Sequence, residues 1–147
     1  ETRTTFFRTT GLAAVLALTA YAAQAQITLK LAHPVPEADL QQNLAVEFKR
    51  VLEEKTGGEI TVQIFPNGQL GNDQQMIDGT RSGIIDVALI GLNNYTGLVP
   101  EAGAFELPFI FPTREVAYKV LDGAPGQAVA KQMETHGLKL LGYGENG

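Results

Sequence analysis

The chain carries few residues that could make or break covalent bonds. Ser82 is the only serine. It stands at the end of a helical run with no histidine near it in sequence, so a serine–histidine–aspartate triad has no support. Cysteine is absent, which excludes thiolate catalysis, disulfides and cysteine-ligated zinc. The two histidines, His33 and His136, lie far apart without companions at metal-ligand spacing, and no metal site is expected. Gly142-Tyr143-Gly144-Glu145-Asn146-Gly147 matches the dinucleotide pattern GxGxxG. That fingerprint needs a following helix and a distant acid, and neither is present, so the match is read as coincidence and no cofactor is expected.

What remains is hydrogen-bonding chemistry. His33 falls where a strand-like run ends, Asp73 opens a helical run, and Asn93 and Asn94 follow a third strand-like run. Side chains at the carboxyl ends of parallel strands border the ligand crevice of open α/β sheets. Glu37, in the loop after the first strand, belongs to the same edge. Each position also has a local role that requires no ligand. Asp73 complements a helix dipole, the asparagines form turns, and a loop histidine can simply pack. His136, one residue before Gly137, suits a helix carboxyl end.

The elements that must position these residues read plainly. Residues 27–32 alternate apolar and polar, the strand period. His33-Pro34-Val35-Pro36 then forces an extended connection. From Asp39, Leu40, Leu44, Phe48, Val51 and Leu52 recur at helical spacing, and Gly57-Gly58 ends that helix. Residues 59–65 form a second strand. Pro66 stops it, because proline has no N–H for a ladder. Asn67-Gly68 supplies a turn, and Asn72 caps the next helix with Gln75 reaching back as in a capping box. That helix covers residues 73–82, and residues 84–90 read as a buried third strand. Alternation of this kind predicts a parallel sheet with helical crossovers.

Residues 91–112 are turn-rich and aromatic, the kind of long connection that serves function or an interface. Phe105, Phe109 and Phe111 are expected in the core rather than around a cofactor. Helices are expected over residues 115–121 and 124–136, and a last strand over 138–143. A parallel strand should lead on to a further element, so the chain reads as part of a longer protein.

Composition is that of a globular protein, 44% hydrophobic and 18% charged, with a net charge of −5. An acidic chain without a basic stripe argues against nucleic acid as partner. Arg3 and Arg8, an apolar run over residues 11–20 and Ala23-Gln24-Ala25 have the order of a secretory signal peptide cleaved after residue 25. The run is shorter than the about 20 residues a membrane span needs, so the processed chain is not expected to span a membrane. Export without disulfides suits a bacterial periplasm.

Five motifs in order carry a resemblance. They are Leu29-Lys30-Leu31-Ala32-His33, the helix end Lys55-Thr56-Gly57-Gly58, and Ile64-Phe65-Pro66-Asn67-Gly68-Gln69-Leu70-Gly71. Arg81-Ser82-Gly83-Ile84-Ile85-Asp86 and Leu107-Pro108-Phe109-Ile110-Phe111 complete the set. Together the chain resembles the DctP family of extracytoplasmic solute receptors of tripartite ATP-independent periplasmic (TRAP) transporters. The resemblance implies a two-lobed periplasmic binding fold, with residues 26–147 as the first lobe and the start of a crossover to the second. It implies capture of a small carboxylate (a dicarboxylate, sugar acid or keto acid) and its delivery to a membrane permease driven by an ion gradient. The arginines that clamp the carboxylate in such receptors would fall beyond Gly147. Glu145, on the crossing segment, would sit near the hinge and accept a ligand hydroxyl. A ligand-sensing module of the same fold, or a small α/β enzyme, remains an alternative; no residue present favours catalysis.

Overall fold

A computed structural model describes residues 26–145; the expected signal peptide lies outside them. Among these residues the chain forms β1 (Ile27–Ala32), α1 (Leu40–Lys55), β2 (Ile60–Phe65), α2 (Asp73–Arg81) and β3 (Val87–Ala88). Two 3₁₀ turns follow, Leu92–Tyr95 and Pro100–Glu106, then α3 (Arg114–Leu121) and α4 (Ala124–Thr135). The sheet has the order β2-β1-β3, and both pairings are parallel. β1 and β2 are in register along their whole length, from Ile27 beside Ile60 to Ala32 beside Phe65. The expected α/β class and parallel sheet flanked by helices are therefore present.

Alternation along the strands distributes the core to two faces. Leu29 and Leu31 of β1 with Val62 and Ile64 of β2 meet Ala45, Phe48 and Leu52 of α1. On the other face Ala32, Phe65 and Leu70 pack on Met76 of α2, with Ile85 and Ile90. A third cluster joins Ile77 to Val99, Ala102, Val129, Met133 and Leu138, which ties α2 to the 3₁₀ turns and α4.

The turn between β2 and α2 follows its local chemistry. Asn67 (φ 57°) and Gly68 (φ 63°) both take the left-handed conformation. Asn72 caps α2: its Oδ1 accepts the Gln75 N–H at 2.9 Å, and Gln75 Oε1 accepts the Asn72 N–H at 2.9 Å. Asn72→Ala removes one half of this box and should cost about 1 kcal/mol, read by urea unfolding. A loss below a few tenths would mean that solvent caps the helix as well.

Three expectations require correction. The third strand does not run over residues 84–90; only Val87–Ala88 pair. The N–H groups of Ile84 and Ile85 both donate to Gly79 O, at 2.9 and 3.1 Å, so these residues wrap the end of α2. Ile84 is exposed, and the Asp86 carboxylate accepts the Lys30 N–H at 2.8 Å, a donor that a ladder would otherwise take. Residues 138–143 form no strand either. Their alternation is present, with Leu138 buried and Lys139 exposed, but β1 pairs with the two residues of β3 and no ladder partner reaches this segment.

Phe109 is not in the core. It is fully exposed, with φ 59°. The Ile110 N–H donates to Leu107 O at 3.3 Å, with Pro108 and Phe109 between them. Proline at the second position and positive φ at the third are the marks of a type II turn, which lifts the ring off the surface. Phe105 and Phe111 do pack, stacked at 6.5 Å between centroids, and Tyr143 meets Phe105 edge-on at 6.4 Å.

Candidate functional site

The parallel strands end on one edge, and the loops leaving them are stitched together. His33 donates its backbone N–H to Phe65 O at 3.1 Å. The β2–α2 turn then folds back, with the Gly68 N–H donating to His33 O at 3.1 Å and the Asn67 N–H to Val35 O at 3.0 Å. Two loops from different strands thus form one hydrogen-bonded ledge, with Pro66 buried beneath it.

His33 continues the alternation of Leu29 and Leu31, which places its ring on the α1 side of the sheet. The ring is wholly buried, and its Nε2 lies 2.7 Å from Gln42 Oε1. An amide oxygen only accepts, so Nε2 is the donor in this contact. Nδ1 is buried without a partner among the described residues, as is Gln41 Oε1. Glu37, four residues on, is exposed.

The next strand ends bring a second group together. Asp73, the first residue of α2, is half-buried, and α2 touches the turn Leu92–Tyr95. Burial, and secondarily the Asp73 charge, push the Tyr95 phenol up to about 12. Asn94 sits in that turn with its backbone N–H on Gly91 O at 3.0 Å. Its side-chain contacts are long, 3.4 Å to Gly91 O and 3.5 Å to Asn93 Oδ1, so the amide is weakly held. Asn93 is exposed, and its Oδ1 would stand 2.6 Å from a Cβ at position 91, so a side chain there would have to displace the Asn93 amide.

Glu145 stands apart from this group. Its carboxylate is held by Arg114 Nε at 2.9 Å and accepts from the Tyr118 hydroxyl at 3.1 Å. The hydrogen bond to that carboxylate raises the Tyr118 phenol above its ordinary value. These groups line a cleft of about 170 Å³ with Leu121 and Tyr143. The larger groove, about 770 Å³, runs beside α2 between Lys30, Phe65, Leu70, Gln75 and Ile84. It contains none of the sequence-derived candidates and is walled mostly by carbon, so the strand-end edge rather than this groove holds the polar chemistry.

Sequence reasoning passed over Gln42 and Tyr95. Gln42 had one legible signal, a polar residue heading the inward stripe of α1. Tyr95 had only its place in an aromatic loop. Among the described residues no three histidine, aspartate or glutamate side chains stand together as a metal ion would need.

A family model, "Bacterial extracellular solute-binding protein, family 7", matches residues 31–147. The chain is 39% identical over 120 residues to the 2,3-diketo-L-gulonate-binding periplasmic protein YiaO of Escherichia coli (strain K12), covering 82% of this chain and 37% of that protein. It superposes with TM-score 0.73 and 32% identity on a TRAP periplasmic solute-binding protein from Sulfitobacter sp. NAS-14.1 with bound β-D-galacturonate, covering 79% of this chain and 39% of the other. The sugar acid binding protein of Advenella mimigardefordensis strain DPN7T, in complex with galactonate, gives TM-score 0.75 and 29% identity over 78% of this chain and 37% of that one. The chain therefore spans well under half the length of these relatives. On the family model and the shared lobe, it belongs to family 7 of the bacterial extracellular solute-binding proteins, the DctP family.

Proposed function

We propose that this chain is the first lobe of an exported receptor that captures a small organic acid and hands it to a TRAP-type membrane permease. The observation that carries the reading is the strand-end edge, where Asp73, Asn93 and Asn94 and the ledge around His33 gather hydrogen-bonding groups on a family 7 lobe. Ordering a hydroxylated acid needs such hydrogen-bond donors and acceptors, while the clamp on its carboxylate calls for arginine. No arginine stands in the edge group, which leaves the clamp to the second lobe. The leader-like segment and the relatives' periplasmic location support export to the periplasm. No helix among the described residues is long and apolar enough to cross a membrane.

The test is isothermal titration of the complete polypeptide with D-galacturonate, D-galactonate, 2,3-diketo-L-gulonate and succinate. Tight one-to-one binding of at least one acid is expected, and no binding of any would overturn the reading. On the acid that binds best, Asn94→Ala should weaken affinity about three- to tenfold. If Asn94→Ala and Asp73→Asn both left affinity unchanged, this wall would be removed from the site.

A further inference from the structure

We propose that Gln42 contacts the bound acid directly, donating from its amide nitrogen to a ligand oxygen, and that His33 is the residue that positions it. The inference deepens the solute-binding reading above and rests on it. In α1 the residues facing the sheet recur as Gln42, Ala45, Lys49 and Leu52, the spacing of one helix face. Ala45 is wholly buried, Lys49 and Leu52 half-buried. Gln42 is the last member of that face before the carboxyl edge of the sheet. It overhangs the end of β1, beside the ledge that His33 shares with the β2–α2 turn.

The orientation of the amide follows from its partner. Gln42 Oε1 accepts from the buried His33 Nε2 at 2.7 Å. With the oxygen turned inward, the –NH₂ group is turned away from the ring. That nitrogen donates to nothing among the described residues, and it is not among their sequestered unpaired atoms, which are His33 Nδ1 and Gln41 Oε1. Among the described residues a donor without a partner therefore remains at the strand-end edge, with its direction set by a residue that solvent does not reach. A surface glutamine samples several rotamers and presents either end of its amide; this one is held to one end. Preorganisation of this kind is what a ligand donor requires, because the entropy of fixing the side chain is lost before binding. The nearest acid on α1 is its N-cap, Asp39, whose carboxylate is engaged by the Gln41 N–H at 3.1 Å. A ligand oxygen, carboxylate or hydroxyl, is the matching acceptor.

The substitution that separates ligand contact from structure is Gln42→Glu. It keeps an oxygen for His33 Nε2–H but exchanges the outward donor for a carboxylate oxygen. In the complete polypeptide, titrated with whichever of the four acids binds wild type best, Gln42→Glu should weaken binding about tenfold or more. Its melting temperature without ligand should stay close to wild type. His33→Leu removes the donor that orients the amide and should weaken binding about threefold or more. His33→Gln, which places an N–H near the position of Nε2, should recover most of that loss, a rescue that a purely structural histidine would not show. Should the glutamate lower the melting temperature, Gln42→Met fills the volume without a donor and takes its place, and unchanged affinity there overturns the proposal. Wild-type affinity in Gln42→Glu overturns it too, and leaves the solute-binding reading standing. A wild-type protein that binds none of the four acids would instead overturn the reading beneath it.

Discussion

Gly126→Ala is expected to destabilise the lobe by about 3 kcal/mol or more. Gly126 lies in the first turn of α4 and is buried. A Cβ there would stand 1.7 Å from Leu121 O and 2.5 Å from Leu121 C, both backbone atoms at the end of α3. No rotamer change relieves a clash with a carbonyl. The two helices would have to separate, and the corner between them is already tight, since a Cβ at Gly123 would meet Lys119 O at 2.5 Å. Separation would also disturb the Tyr143 hydroxyl, which donates to Gly126 O at 2.8 Å and anchors the last extended segment. Urea unfolding of the complete polypeptide reads the effect, and a loss below about 1 kcal/mol would show that α3 and α4 repack freely.

Leu31→Ala should cost about 2–5 kcal/mol, the range for a leucine removed from a filled core. Leu31 is wholly buried between α1 and β2, in contact with the cluster of Ala45 and Val62. It is also the only β1 side chain besides Ala32 that stands beside β3, paired with Val87. The cavity would therefore open where all three strands meet, two residues before His33. The companion Ile27→Ala, at the exposed start of the same strand, should change stability by less than about 1 kcal/mol. Similar losses in the two variants would mean that β1 is not the centre of the sheet's stability.

Much of the frame was legible from short stretches. The strand at residues 27–32, the helix that follows Asp39 and the capping box of Asn72 and Gln75 all appear where alternation, helical spacing and cap chemistry place them. These signals act over a few residues, so the sequence states them directly. That the strand ends share one edge was legible for a related reason, since parallel strands bring their carboxyl ends together whatever the side chains are.

The failures share the opposite character. Residues 84–90 have the composition of a buried strand, yet whether they pair depended on where the Ile84 and Ile85 N–H groups and the Asp86 carboxylate found partners, at Gly79 and Lys30. Residues 138–143 alternate correctly and still lack a ladder, because pairing is a property of two segments and not of one. Phe109 is as hydrophobic as Phe105, but the turn beginning at Leu107 turns it outward.

By itself, then, the sequence determined the class of fold, the order of its elements from β1 to α2, the capping box of Asn72 and the family, all of which rest on residue type at fixed spacing. Tertiary structure alone decided the burial of His33 against Gln42, the packing of α2 on the Leu92–Tyr95 turn and the capture of Glu145 by Arg114 and Tyr118. Each of these is a contact between elements, and the energy of a contact depends on which groups the packed chain brings within hydrogen-bonding distance.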